Sequence, residues 1–295
     1  MRLVVPYAAG GTTDVVARLV GARLARVLER PVVVENRPGG GGTLAGTQVA
    51  TAAADGLTLL LGGMEIATAP SLIGSRQFLA TRDVRGVAGL TLGPLVLVVH
   101  PETTEARTLQ ALIAQCRARP GEFTFASAGI GNVTHLFGEI FKRTAAIDIR
   151  HVPYRGAAGA LTDLQAGLVT MMLGGTASVQ PLVSAGKLRA LAITGRQRTS
   201  GLPGVPTFAE AGLSIPATDS GAWLALFAPA RASAEAIAPV HRAIDEILTQ
   251  PELLGQLAVQ GLVAQPMSPL EVDGLLRTQT TVWSELIAQS GITLN

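Results

Sequence analysis

Short apolar runs alternate with segments of helical periodicity along the chain, and this alternation limits the possible folds more than any other feature. Most of the runs are continuously apolar, which is typical of parallel strands covered on both faces. The predicted strands are 3–5, 32–35, 57–61, 95–100, 123–126, 149–152, 168–173, 188–194 and 224–227. Between them, apolar residues recur with the 3.6-residue period of helices, most clearly over 15–27, 136–141 and 237–248. This order predicts an α/β fold with doubly wound, mostly parallel sheets flanked by helices.

The composition excludes several classes of protein. Of the 295 residues, 48% are hydrophobic and 15% are charged, so the chain has enough apolar surface to fold. The net charge is +2 and lysine occurs only at Lys142 and Lys187, so we expect no nucleic-acid partner. The apolar runs are too short to span a membrane. Cys116 stands alone on the apolar side of a predicted helix and is expected to be a buried hydrophobe.

A strand, a glycine-containing loop with hydroxyl groups and the start of a helix follow one another twice in the chain. The first copy continues from strand 3–5 through 6–14, and the second continues from strand 123–126 through 127–135. Two such copies indicate two similar domains, each with a loop at the carboxyl end of a strand. We expect one domain of residues 1–99 and 222–295 and another of residues 100–221.

Loops of this kind are suited to bind an anion without a charged side chain. The first N–H groups of a helix lack intrahelical partners and carry partial positive charge. Glycine lets the backbone approach a ligand closely, and Ser and Thr add hydroxyl donors. Two loops could therefore hold an acid with two polar ends. The alternative is that Thr12, Thr13 and Asp14 only cap a helix.

Other motifs give weaker signals. Gly39–Ala45 contains the pattern G-x-G-x-x-A, but the acidic residue expected about 20 positions later is missing, so we expect no nucleotide cofactor. No histidine stands at metal-ligand spacing from another histidine or from the cysteine, and we expect no metal. Ser127 and His135 could imitate a nucleophile and its base, but no orienting carboxylate is evident. Glu65 follows a strand and is interpreted as a solvated loop carboxylate.

A series of longer motifs points to a known family. They are VVPYAAGGTTD at 4–14, VENRPG at 34–39, ASAGIGNVTHL at 126–136, HVPYRG at 151–156, ALTDL at 160–164, GKLRALA at 186–192, PTFAEAG at 206–212 and LFAPA at 226–230. Together and in this order they resemble the Bug family, the substrate-binding proteins of tripartite tricarboxylate transporters. The resemblance covers essentially the whole chain.

This resemblance implies a two-domain Venus-flytrap fold of the periplasmic binding-protein type that binds a small mono- or dicarboxylate in the cleft between its domains. It implies no enzymatic activity and no cofactor, a membrane permease as partner and a periplasmic location; we expect a monomer. Met1 stands directly before the first strand, so we expect no export signal in the residues as printed. The ligand contacts that the resemblance implies are Tyr7, Ala8, Ala9, Gly10, Thr12, Asp14, Ser127, Gly129, Gly131, Asn132, Thr134 and His135. Asp14 is expected to brace its loop rather than to contact the anion.

The chain departs from the family pattern at two further places. Gly174-Gly175-Thr176 stands where an acidic residue is usual, which disfavours an amino-acid ligand. Met64–Ala67 replaces a polar pair and predicts a more apolar, locally acidic wall, which favours an aliphatic or aromatic acid over a highly hydroxylated one. Two other functions stay open at this point. One is a metabolite sensor that is not coupled to transport, and the other is a hydrolase that uses Ser127 and His135.

Overall fold

The computed structural model describes residues 1–7, 9–10, 12–73, 77–129, 132–154, 157–215 and 221–290, without the side chains of 73, 289 and 290. Of the predicted ligand contacts, Ala8 and Gly131 lie outside the described residues. The chain forms two compact units. We name Met1–Leu92 together with Trp223–Asn295 unit 1, and Gly93–Ala222 unit 2.

The strands and helices alternate along most of the described chain. The strands are β1 Arg2–Val5, β2 Val33–Asn36, β3 Thr58–Gly63, β4 Val84–Gly93, β5 Leu95–Val99, β6 Thr124–Ser127, β7 Arg150–Pro153, β8 Met171–Gly175, β9 Arg189–Ile193, β10 Ala222–Pro229 and β11 Val263–Met267. The helices are α1 Thr12–Val27, α2 Thr43–Thr51, α3 Met64–Ile73, α4 Ala80–Asp83, α5 Leu109–Ala118, α6 Val133–Thr144, α7 Ala157–Gln165, α8 Thr176–Ser184, α9 Ala234–Ile247, α10 Pro251–Val259 and α11 Pro269–Ser290. A 3-10 turn at Gly40–Gly42 precedes α2.

Unit 1 is built on a sheet with the strand order β11-β4-β10-β3-β1-β2. β1 runs parallel to β2 and β3, whereas β10 is antiparallel to β3. Alternate residues of β1 point to two different cores, which is why its sequence is continuously apolar. Leu3 and Val5 pack with residues of α1 and α9, and Val4 packs in the other core with Trp223 and Leu276.

Unit 2 has its own sheet, with the order β7-β6-β8-β5-β9. β6 runs parallel to β7 and β8, and β5 is antiparallel to β8 and β9. One core of unit 2 joins Val98 and Ala126 of this sheet to Leu164 of α7 and Val179 of α8. Cys116 on α5 is fully buried, as predicted, and burial raises the pKa of its thiol to about 11.

The predicted α/β class is confirmed, but the sheets are mixed rather than mostly parallel. β4 and β11, which pair antiparallel, were missed. β4 contains glycines that break its apolar pattern, and they let β11 and the start of α11 approach. A Cβ at Gly89 would lie 2.6 Å from the carbonyl oxygen of Gln265, and one at Gly86 would lie 2.7 Å from that of Pro269. β11 lies at the edge of the sheet, where Pro266 is tolerated.

The chain passes into unit 2 earlier than the predicted boundary after residue 99. Because β5 pairs with β8 and β9, residues 95–99 belong to the sheet of unit 2, and the passage lies between Leu92 and Gly93. Within the described ranges, no helix has both the length and the hydropathy that crossing a bilayer requires.

Candidate functional site

The first loop, residues 6–11 between β1 and α1, is fixed by one buried carboxylate. Asp14, in the first turn of α1, is 3% exposed. Its Oδ2 accepts hydrogen bonds from the backbone N–H of Gly10 at 2.9 Å and from Nε of Arg18 at 3.0 Å. Its Oδ1 accepts from Nη2 of Arg18 and Nδ2 of Asn36, both at 3.0 Å. The Arg18 guanidinium lowers the pKa of Asp14 to about 2, with help from Gly10 and Asn36. These bonds give Asp14 the bracing role that we expected.

The outer side of the first loop is open to solvent. Nδ2 of Asn36 also donates to the carbonyl oxygen of Tyr7 at 2.9 Å and so ties the beginning of the loop to β2. Ala9, Gly10 and Thr12 are exposed, and Gly10 has a φ of 93°, which favours glycine. The loop therefore presents exposed backbone beside the N-terminus of α1, while the acidic side chain is turned inward.

Glu65 is not the solvated loop carboxylate that the sequence suggested. It lies in the first turn of α3, directly after β3, and its Oε1 accepts the backbone N–H of Gly63 at 2.7 Å. The surroundings are tight, since a Cβ at Gly42 would lie 3.2 Å from Cγ of Glu65 and 3.5 Å from Cβ of Pro6. Burial raises the pKa of Glu65.

The neighbours of Glu65 do not form the apolar wall that the sequence predicted. Met64, Ile66 and Ala67 are each at most 4% exposed and belong to the interior of unit 1. The glycine-rich run at 39–42 turns the chain from β2 into α2, and Gly42 contacts the side chains of Glu65 and Ile66 closely. All four glycines have a positive φ, and a Cβ at Gly42 would lie within 3.6 Å of the side chains of Pro6, Glu65 and Ile66, so the run has a structural reason without a nucleotide.

The second loop, residues 128–132 between β6 and α6, is braced by its own polar side chains. Oδ1 of Asn132 accepts the backbone N–H of Thr134 at 3.0 Å and the hydroxyl of Thr134 at 3.1 Å, so Asn132 caps α6. Oγ1 of Thr134 accepts the backbone N–H of Ala128 at 2.9 Å. The side-chain oxygens of Asn132 and Thr134, both predicted ligand contacts, therefore hold the loop in shape.

Ser127 forms a close pair with His151, a residue that sequence reasoning missed. Oγ of Ser127 lies 2.7 Å from Nε2 of His151 and accepts the backbone N–H of Gly129 at 3.2 Å. Ser127 is fully buried, so its hydroxyl is engaged inside unit 2. The pair arises because β6 and β7 are parallel neighbours that place Phe125 opposite His151. That register follows from strand order, which the sequence did not reveal.

Three aromatic rings stack behind the second loop. The ring centroids of His135 and His151 are 4.0 Å apart, and those of His151 and Phe125 are 4.7 Å apart. Burial, together with the charge that His151 would carry, lowers the pKa of His135 to about 4. Burial and the charge of Lys142 lower the pKa of His151. No group of three or more His, Cys, Asp or Glu side chains suited to a metal ion occurs within the described ranges.

The stacked histidines should make the stability of the protein depend on pH. Because folding lowers the pKa of His135 from 6.5 to about 4, the unfolded chain takes up a proton first as the pH falls. We expect the free energy of unfolding to be highest above about pH 6.5. It should decrease by about 3 kcal/mol as the pH falls towards about pH 4. Urea unfolding at a series of pH values measures this slope.

The variant His135→Gln should reduce the slope without abolishing it, because folding also lowers the pKa of His151. The control His241→Gln should keep it, since the side chain of His241 is 23% exposed and pairs with Asp245 on the surface of α9. A free energy of unfolding that is the same at pH 4.5 and pH 7 in the wild type would contradict the prediction.

Comparison with known proteins finds relatives over nearly the whole chain. Residues 16–292 match the family model described as tripartite tricarboxylate transporter family receptor. Protein BugT of Bordetella pertussis is 35% identical over 296 residues, which covers 100% of this chain and 90% of BugT.

Solved structures are similar over both units. A periplasmic transporter is 31% identical with a TM-score of 0.84, covering 100% of this chain and 98% of its own. Rpa4515 of R. palustris, solved with adipate, is 30% identical with a TM-score of 0.83. The match covers 99% of this chain and 97% of the Rpa4515 chain. MatC of Rhodopseudomonas palustris, solved with bound malate, is 32% identical with a TM-score of 0.80. The match covers 97% of this chain and 98% of the MatC chain.

Proposed function

The chain belongs to the tripartite tricarboxylate transporter receptor family, and on this premise we propose that it captures a small mono- or dicarboxylate with the first and second loops. Members of this family and the similar solved proteins are solute-binding proteins. The residues that we propose to contact the acid are Tyr7, Ala8, Ala9, Gly10, Thr12, Gly129, Gly131, Asn132, Thr134 and His135. We assign Asp14 and Ser127 to bracing.

The observation that carries this proposal is the shared build of the two loop–helix junctions. In each junction a side-chain oxygen near the start of the helix accepts an N–H of the loop: Asp14 binds Gly10, and Thr134 binds Ala128. Arg18, one turn along α1 from Asp14, is already paired with that carboxylate. Since Gly10, Ala128 and Thr134 already donate their N–H groups within the loops, we expect attraction for an anion from the other N–H groups at the two helix starts and from the helix dipoles, rather than from a free charged side chain.

Both acids found in the similar structures, adipate and malate, carry two carboxylates. We therefore propose a dicarboxylate of this size as the ligand class. The two acids differ in a useful way, because adipate is a plain aliphatic chain and malate has a hydroxyl group. The neutral Gly174-Gly175 segment supports an acid without an amino group.

Thermal unfolding with a panel of acids tests the proposed function. We expect a fitting dicarboxylate, added at about 100 times its Kd, to stabilise the folded protein by about 2.7 kcal/mol. For a chain of this size, this raises the Tm by roughly 4 °C. Adipamide, which has the shape of adipate without its charge, is the control and should give no shift. A flat response to the whole panel, in protein that was unfolded and refolded to remove bound ligand, would overturn the proposal.

We propose further that the protein works outside the cytoplasm and delivers the acid to a membrane permease, as family membership suggests. A metabolite sensor would bind the same acid, so binding alone does not separate the two roles. Uptake does: deletion of the gene should abolish uptake of the bound acid if the protein serves transport, and should leave the transport step intact if it only signals.

In the hydrolase hypothesis, His151 rather than His135 is now the histidine paired with Ser127. We compare this hypothesis with the binding hypothesis. A serine nucleophile must be reachable, but Ser127 is fully buried. Within the described part of the chain, the groups recorded against the His151 side chain are Ser127, Phe125, His135 and Lys142, with no carboxylate to orient the ring. We therefore propose that the protein has no hydrolase activity, and turnover of an activated ester that Ser127→Ala abolishes would contradict this.

A further inference from the structure

His151 contacts residues on both sides of the second loop. It lies on β7, which pairs with β6, and its Nε2 is 2.7 Å from Oγ of Ser127, the last residue of β6. Its ring also stacks on that of His135 in the first turn of α6, with the ring centroids 4.0 Å apart and the planes 16° apart. One side chain thus joins the strand before the loop to the helix after it.

The hydrogen bond between His151 and Ser127 fixes the start of the loop. The hydroxyl of Ser127 has one proton, and Nε2 of His151 at 2.7 Å is a closer acceptor than the carbonyl oxygen of Gly129 at 3.3 Å. With the proton in the bond to His151, the lone pairs of Oγ accept the backbone N–H of Gly129 at 3.2 Å. Burial and the charge of Lys142 lower the pKa of His151, which keeps the ring neutral and able to accept.

The backbone at Gly129 has little room to adjust if this bond is lost. Its φ of 138° favours glycine, and a Cβ there would lie 3.3 Å from the carbonyl oxygen of Tyr154. Tyr154 in turn donates its N–H to the carbonyl oxygen of Ser127 at 3.0 Å. Because Ser127 is fully buried, water cannot easily replace the bond that its hydroxyl makes with His151.

The ring stack fixes the other side of the loop. His151 lies between the rings of Phe125 and His135, with its centroid 4.7 Å from that of Phe125. Phe125 is packed tightly against α6, since a Cβ at Gly138 would overlap its Cε2. The first turn of α6 is therefore held against the sheet through the ring of His151.

We infer that His151 is a positioning residue that holds both ends of the second loop and thereby raises the affinity for the acid. The inference rests on the proposed function, because it requires an acid that binds at this loop. A loop that is ordered before the acid arrives loses less conformational entropy on binding, so the affinity is higher. His151 acts through Ser127 and His135.

Two variants remove the same hydrogen bond from its two ends. His151→Phe keeps a ring for the stack and loses the bond, and Ser127→Ala loses the bond and leaves the stack intact. Isothermal titration calorimetry measures the Kd of adipate, or of malate if adipate does not bind. We expect each variant to weaken binding about fivefold, which corresponds to the roughly 1 kcal/mol of one hydrogen bond.

The double variant distinguishes positioning from a general loss of stability. If His151 acts through Ser127, the second substitution finds the bond already missing, and the double variant should bind about as weakly as either single variant. Effects that multiply to about 25-fold would show that the two side chains act independently, and would overturn the inference. In the acid-free protein, the amide of Gly129 should exchange its hydrogen about fivefold faster in each single variant.

His100→Phe is the matched control in unit 2. His100 follows β5 and lies at the other end of the sheet, where its N–H donates to the carbonyl oxygen of Thr170 at 3.3 Å, just before β8 begins. This variant should keep the Kd of the wild type and the exchange rate of the Gly129 amide.

The remaining outcomes separate the inference from the proposed function. If the wild type binds an acid and both single variants bind it with the same Kd, the inference is overturned while the proposed function stands. If the wild type binds no acid of the panel, both fail. Should His151→Phe not fold, His151→Leu replaces it, and adding Ser127→Ala to His151→Leu should not weaken binding further.

Discussion

Replacement of Gly138 by alanine is expected to destabilise unit 2 by about 3 kcal/mol. Gly138 lies in the middle of α6, where a Cβ would overlap Cε2 of Phe125 and lie 2.5 Å from its Cδ2. Phe125 cannot move aside easily, because its ring is 3% exposed and stacks on His151. The loss outweighs the gain of about 1 kcal/mol that alanine brings to a helix.

Urea unfolding of matched variants measures this effect. Gly274→Ala in α11 is the control, because a Cβ at Gly274 would have no described atom within 4 Å. This variant should stabilise the protein by about 1 kcal/mol. The same substitution thus has opposite signs at two helical positions. A Gly138→Ala variant as stable as the wild type would show that the stack behind the second loop is not rigid.

Replacement of Asp14 by alanine is expected to cost about 3 kcal/mol and to weaken acid binding by at least about tenfold. The substitution removes one buried carboxylate that holds Gly10, Arg18 and Asn36 together. It leaves the first loop without its brace and leaves the Arg18 cation unpaired. Binding weakens because the loop N–H groups no longer have a fixed position when the acid arrives.

The pH dependence of the wild type gives a second measure of the Asp14 brace. Because folding lowers the pKa of Asp14 from 3.8 to about 2, its contribution is complete above about pH 4 and is lost as the pH falls towards 2. The loss amounts to about 2 kcal/mol. Asp55→Ala is the control for both measurements, since Asp55 is exposed and, among the described residues, accepts a local N–H from Leu57. Equal effects of Asp14→Ala and Asp55→Ala on unfolding and on binding would contradict the role assigned to Asp14.

The parts of the site that follow from local chemistry could be predicted from the sequence. The strand–loop–helix order at 3–14 and at 123–135 is encoded by neighbouring residues, and both junctions are present as β1–α1 and β6–α6. The inward role of Asp14 also follows from its place in the first turn of a helix. These features need no knowledge of which strands become neighbours.

The parts that depend on strand order could not be predicted. Glu65 lies close to Pro6 at the Gly42 turn because β3 pairs with β1, and His151 meets Ser127 because β7 pairs with β6. Both contacts join residues far apart in the chain, so an acid after a strand looked solvated and a histidine in a strand looked isolated. β11 was missed for a related reason: as an edge strand it is only partly buried and lacks the apolar run of a central strand.

The central claim is that backbone N–H groups of the two loops, rather than charged side chains, hold the acid. The most direct measurement is the amide NMR spectrum of the isotope-labelled protein during titration with the acid that raises the Tm most. The account predicts that the largest shifts occur within the segments 9–13 and 128–135, with saturation at one equivalent of acid. Shifts confined to residues outside both segments would contradict it.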